Sequence, residues 1–106
     1  MHIDKLIEQT VEVLPYITSE EKAQEFLNTL DASDQMAIFS AYNVGNTHIG
    51  YDRLQVDHIT VHRHLESHVS QANYANMLYM KRLVMKEGLQ TFIRCTEASG
   101  FNRSNF

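Results

Sequence analysis

One proline, one cysteine and four glycines are all that this 106-residue chain holds of the residues that break, staple or loosen a backbone. Cys95 has no second cysteine to pair with, so no intrachain disulfide can form, which suits a reducing compartment. There is no run of Lys and Arg, and the net charge is −4 with histidine neutral, which disfavours passive binding along a phosphate backbone. No segment approaches the roughly 20 apolar residues of a membrane span. The opening stretch carries Asp4, Glu8 and Glu12 and has no apolar run of signal-peptide type. The expectation is a cytoplasmic protein without membrane contact.

What is present is ordinary for a folded domain. Apolar residues make up 43% and charged residues 21%, which argues against disorder. The length allows one domain with a thin core, since a chain of this size buries only about two-thirds of its unfolded surface. A single helical domain is expected over residues 1–100, with 101–106 as a C-terminal tail.

Hydrophobic spacing gives the helices. Ile3, Leu6, Ile7, Val11 and Leu14 recur at helical intervals ahead of Pro15, which predicts a helix over 3–14. Thr18 and Glu21 form a capping-box pattern before a stripe of Ala23, Phe26, Leu27 and Leu30, which predicts a helix over 19–30. Asp31 and Ser33 offer caps for a third helix over 33–44, with Gly45 placed as its C-terminal stop. The stretch from Ser70 to Gly100 supplies one long helix or two abutting ones, with Gly88 marking a kink or a close approach.

The segment from Tyr51 to Val69 reads two ways. As a helix, Tyr51, Leu54, His58, Val61, Leu65 and Val69 form one face. As a strand, Ile59, Val61 and Leu65 point one way and the histidines the other, and the β-branched Ile59-Thr60-Val61 run favours that form. The length of the stripe and the lack of any partner strand favour the helix. The fold class that follows is all-α, a compact bundle of five or six helices.

Two resemblances attach to particular residues. Asp34-Gln35, Tyr42, Val44 and Gly45, with the later KEGLQTFI, resemble a family of small bacterial helical proteins of uncharacterised activity. That likeness implies a helical fold and nothing about chemistry. The stretch RHLESH, Arg63 to His68, resembles the signature of the HEPN ribonucleases, small all-α domains that cut RNA as dimers, often without a metal. This implies Arg63 as the stabiliser of the charged phosphorane, His68 as the acid/base and His64 as a polar helper. Both Arg63 and His68 would then sit on one helix at a dimer interface. A second match from Arg53 to His58 shows how easily so short a pattern arises in a histidine-rich stretch.

Four of the six histidines fall between His58 and His68. On a helix, His58 and His62 would stack as a chelating pair, as would His64 and His68. The two pairs would point roughly 120° apart at about 100° per residue, so one ion could not take all four. The zinc-hydrolase pattern needs a Glu after the first His, and Ile59 stands there. The plainer reading makes His58 a buried structural residue within the apolar stripe. The preferred function is therefore a non-catalytic binding protein, of adaptor or inhibitor type, with no cofactor. It binds a protein partner and itself as a homodimer. The expected contact face combines Tyr51, His58, His62 and Leu65 with Met77 and Met80. Metal binding by His58 and His62, and RNA cleavage, stand as the alternatives.

Overall fold

The computed structural model of the chain describes all 106 residues. Five helices and no strand are formed, as the all-α reading expects. α1 spans His2–Val13 and buries Ile3, Leu6, Ile7 and Thr10. It gives way to a single 3₁₀ turn, Leu14–Tyr16, whose early position accepts Pro15 because no backbone N–H is needed there.

α2 is Glu20–Leu27, shorter at its C-terminal end than its apolar stripe suggests. Its cap is Ser19 rather than Thr18: the Ser19 hydroxyl accepts the Lys22 N–H at 3.1 Å. The far end is closed from outside, because the Gln35 side-chain amide donates to the Leu27 and Leu30 carbonyls at 2.8 and 3.1 Å. α3, Ala32–Asn46, begins on Asp31, whose carboxylate accepts the Asp34 N–H at 2.8 Å. It is buried almost all round, from Ala37 to Tyr42 and again at Val44 and Gly45, and forms the axis of the domain.

Gly45 does not end α3. The helix runs through it, and the glycine lies against Gly88 of α5, Met85–Ala98. α3 and α5 form the principal packing pair, and α2 packs on α4, Tyr74–Met80. The stretch after Ser70 thus supplies two helices. α5 ends in a Schellman motif: Gly100 takes φ 67°, the Phe101 N–H reaches the Thr96 carbonyl at 2.9 Å, and the Gly100 N–H reaches that of Glu97 at 3.1 Å.

The helix expected over Tyr51–Val69 is absent. The segment is irregular, with one 3₁₀ turn at His58–Thr60 and successive tight turns through Arg63–His68. Four of its apolar positions still face inward, Val61 buried and Leu54, Leu65 and Val69 packed against the core, while Tyr51, Val56 and Ile59 are exposed. Other elements supply the hydrogen bonds a helix would have made internally. The Ser40 hydroxyl donates to the Arg63 carbonyl at 2.9 Å and accepts the Glu66 N–H at 3.0 Å. The Ser99 hydroxyl accepts the Leu54 N–H at 2.8 Å. Asp57 takes the Ile59 N–H, a local bond that competes with helix, and the β-branched run adds to that bias.

Residues 101–106 are not a free tail. Phe106 is buried with its ring centroid 4.8 Å from that of Phe92. Arg103, 6% exposed, makes a bidentate bond to Asp4 at 2.9 and 3.1 Å and reaches Glu97 at 2.9 Å. The hydrogen bond to Asp4 raises its pKa above the ordinary guanidinium value, against the opposing effect of burial.

Candidate functional site

The backbone of the histidine segment is tied down by its neighbours, while its four imidazoles are exposed. His48 is buried, with Nδ1 at 2.8 Å from the Val44 carbonyl and Nε2 accepting the Gln55 N–H at 2.9 Å. A ring that donates at Nδ1 and accepts at Nε2 is a neutral tautomer, spent on holding the chain at Gln55. Sequence reasoning missed this role of His48. Its cue was a histidine four residues beyond Val44, at the end of an apolar helix.

The other histidines scatter. His58 is exposed, not buried, and stands edge-on to Phe101 with centroids 5.7 Å apart. The exposed His62 and His64 rings are 6.4 Å apart, and His68 Nε2 lies 3.6 Å from the buried Glu66. Without a helix, the stacked His58/His62 pair does not form, and no three His, Cys, Asp or Glu side chains gather as a ligand set.

Arg63 and His68 lie in consecutive turns, not on the helix that the ribonuclease resemblance requires. The Arg63 guanidinium is used structurally. Its Nε donates to the Phe106 carbonyl at 2.8 Å, one terminal nitrogen donates to Ser33 at 2.7 Å, and the other lies 3.4 Å from Asp34. Neither Arg63 nor His68 lines any of the five cavities. His64 is exposed beside them.

The six residues expected to share a contact face are divided. The Tyr51 carbonyl accepts from Arg94 and Cys95, late in α5. Met77 and Met80 belong to α4, which precedes the start of α5. Tyr51 is thus anchored by the last turns of α5, and Met77 and Met80 stand on the helix ahead of its first. His58 and His62 are exposed, Leu65 is half-buried against the core, and Met80 is the open member on α4.

Met80 opens onto the feature that stands out on this surface. Between α4 and α5 the chain turns through Lys81–Val84, an elbow without Gly or Pro. The Met85 N–H bonds to the Lys81 carbonyl at 2.9 Å, so the backbone stays satisfied across the break. The side chains do not turn in: Met80 is 67% exposed and Leu83 87%, with Val84 beside them. Lys81, Arg82 and Lys86 are their chain neighbours, three of the chain's nine Lys and Arg residues; the Lys81 ammonium lies over the Tyr42 ring, 5.9 Å from its centroid, and the exposed Glu87 follows Lys86. Arg82 is oriented by its neighbour, stacking 4.2 Å from the Tyr79 ring centroid while donating to the Tyr79 carbonyl at 2.7 Å. Arg82, Leu83 and Lys86 line a groove of about 550 Å³ together with Leu14, Pro15 and Ile17.

On the other side of the Leu14–Tyr16 turn lies an open cleft of about 610 Å³. Leu6, Val13, Phe26 and Leu30 line it, and the exposed Tyr16 stands at its edge. Glu12 and Asp34 give it an acidic rim. Asp34 Oδ1 lies 2.9 Å from His2 Nε2 and is also approached by Arg63. Glu12 has no hydrogen-bonding or ionic partner within the chain, so its charge faces outward. The surface therefore carries an exposed apolar stretch with Arg82 and Lys86 beside it, and an open apolar cleft with one unpaired carboxylate, Glu12, at its edge.

Deeper in the core, burial raises the pKa of the Tyr42 phenol, and burial together with the nearby Glu66 carboxylate raises that of Tyr74. The Tyr74 hydroxyl is enclosed without a hydrogen-bond partner. No helix is long and apolar enough to cross a membrane. Comparison with protein-family models, curated proteins and solved structures finds no match.

Proposed function

We propose that this chain is a non-catalytic helical binding module that docks a protein partner through the α4–α5 elbow. One observation carries the reading: Leu83 is 87% exposed between the exposed Met80 and Val84, with Arg82 and Lys86 beside it. Folding gains nothing from leaving Met80, Leu83 and Val84 in water when the core takes up Met85 and Leu89 just beyond them. An apolar centre with a charged rim is the anatomy of a contact patch, with the centre supplying affinity and the rim orientation and rate. Arg is among the side chains that most often anchor such contacts, and Arg82 stands beside the apolar area of Leu83.

The experiment compares the partner proteins retained by immobilised wild-type chain and by Leu83→Asp, with thermal unfolding of both as the control. The expected result is a partner kept by the wild type and lost by the variant at unchanged Tm. Equal recovery on both would remove the elbow from the contact.

A further inference from the structure

We propose that a second copy of this chain occupies the elbow: the elbow of each protomer seats in the acidic cleft beside Tyr16 of the other. The inference rests on the elbow being a docking surface and adds the identity of one occupant.

The two patches are both apolar and differ in charge. The elbow leaves Leu83 87% exposed beside Arg82 and Lys86, with Glu87 the first carboxylate to follow. The cleft is concave, and its volume of about 610 Å³ lies within the roughly 300–1,000 Å³ of clefts that hold ligand-sized groups. Its floor of Leu6, Phe26 and Leu30 is chemically suited to aliphatic side chains. Glu12 supplies an unpaired carboxylate at the rim for Lys86 or Arg82. Glu25 in the adjoining groove past Tyr16 is already paired with Lys22 at 3.3 Å. Like-charged rims would repel, so the elbow cannot seat against a second elbow, nor the cleft against a second cleft.

The placement of the patches also bears on how such an assembly would close. The elbow groove uses Leu14 and Pro15 of the short turn, and the cleft uses Val13 and Tyr16 of the same stretch. Each protomer thus carries donor and acceptor patches on either side of one ridge. Reciprocal seating about a two-fold axis uses both at once and stops at two copies, whereas one-way seating would leave a free elbow and a free cleft and build open chains. An anionic lipid surface is the other chemistry that would draw an apolar and basic tip. The second copy is favoured because its cleft provides a matched receptor, and because a chain of net charge −4 approaches an anionic surface against its own field.

The test is molecular mass by light scattering and sedimentation equilibrium over a concentration series, on wild type, Lys86→Glu and Glu12→Lys. Both substituted positions are exposed, so circular dichroism and Tm should not change. In a reciprocal dimer each variant meets itself with like charges at both seats. Each should lose about ten-fold or more in dimer affinity. An equimolar mixture should restore the dimer, because the reversed elbow meets the reversed cleft at one seat and the native elbow meets the native cleft at the other. Dimers of both variants as tight as the wild type, or a mixture that stays monomeric, would overturn the pairing. A wild-type chain that is monomeric throughout overturns it too, and one that then sediments with phosphatidylserine vesicles assigns the tip to lipid. Self-association lost while a partner protein is still captured, in a manner sensitive to Leu83→Asp, separates failure of this pairing from failure of the elbow reading.

Discussion

A Cβ added to Gly45 would stand 1.7 Å from the carbonyl oxygen of Gly88, so α3 and α5 touch backbone to backbone. No side chain can give way there. Gly45→Ala is expected to cost more than the roughly 1–3 kcal/mol of ordinary overpacking and to leave little cooperative unfolding. Gly88→Ala meets the Tyr42 ring at 2.6 Å instead, and a ring can shift where a backbone cannot. It should fall within the ordinary range. Urea titration of both variants checks the order, and equal costs would contradict the close approach.

The Tyr74 hydroxyl makes no bond inside the protein, while its ring lies 4.5 Å from that of Phe39. Tyr74→Phe keeps the ring and removes a stranded polar atom, with an expected gain of up to about 1 kcal/mol near neutral pH. The same phenol governs alkaline behaviour. Its folded pKa, and that of Tyr42, lie above the ordinary 10.0, so the unfolded chain ionises first. Stability is whole below about pH 10 and falls as pH rises through the folded values. Tyr74→Phe should flatten that alkaline decline, as measured by thermal unfolding between neutral pH and pH 11. An unchanged slope would count against the phenol as its source.

Arg103 joins the last turn to α1 through a fork that fits the Asp4 carboxylate. Arg103→Met should cost about 2 kcal/mol, roughly 10 °C in Tm, after allowing for the partial exposure of Asp4 and the open position of Glu97. Arg103→Lys should recover little, because an ammonium cannot reproduce the paired bonds. Full recovery by lysine would mean that charge alone matters.

His48→Ala removes both the Val44 and the Gln55 bonds and is expected to cost about 2 kcal/mol. Hydrogen exchange gives the sharper readout: the Gln55 amide should exchange much faster in the variant, while amides in the middle of α3 change only with global stability. Uniform acceleration everywhere would show that His48 supports the whole fold rather than this one attachment.

Local rules reached as far as local bonds. The stripe of Ile3, Leu6 and Ile7, the Asp31 cap and the stop at Gly100 are each settled within one or two turns of chain, and the sequence shows them plainly. Between Tyr51 and Val69 the apolar spacing was real, yet bonds that shape the backbone come from Ser40 and Ser99, distant in the chain, and from His48, seven residues before Gln55, and none of them shows in the apolar pattern. Gly45 misled for the same reason: a glycine that stops a helix and one that admits a second helix look alike until the second helix is in place. The elbow lay inside a stretch with no breaker. The cleft draws on α1, α2 and α3 together, and no single-segment pattern could have assembled it.

The pairing of Asp4 with Arg103 spans 99 positions, close to the full length of the chain. Closing so wide a loop costs the most entropy and returns a contact only once the helices between have docked. The clamp therefore belongs to the descent after the folding transition state. Breaking it should leave the refolding limb of a chevron plot where it was and steepen the loss of the native state in time, with nearly all of the stability change appearing as faster unfolding. For this domain, the ion pair between its first helix and its last turn is a brake on opening rather than a guide to folding.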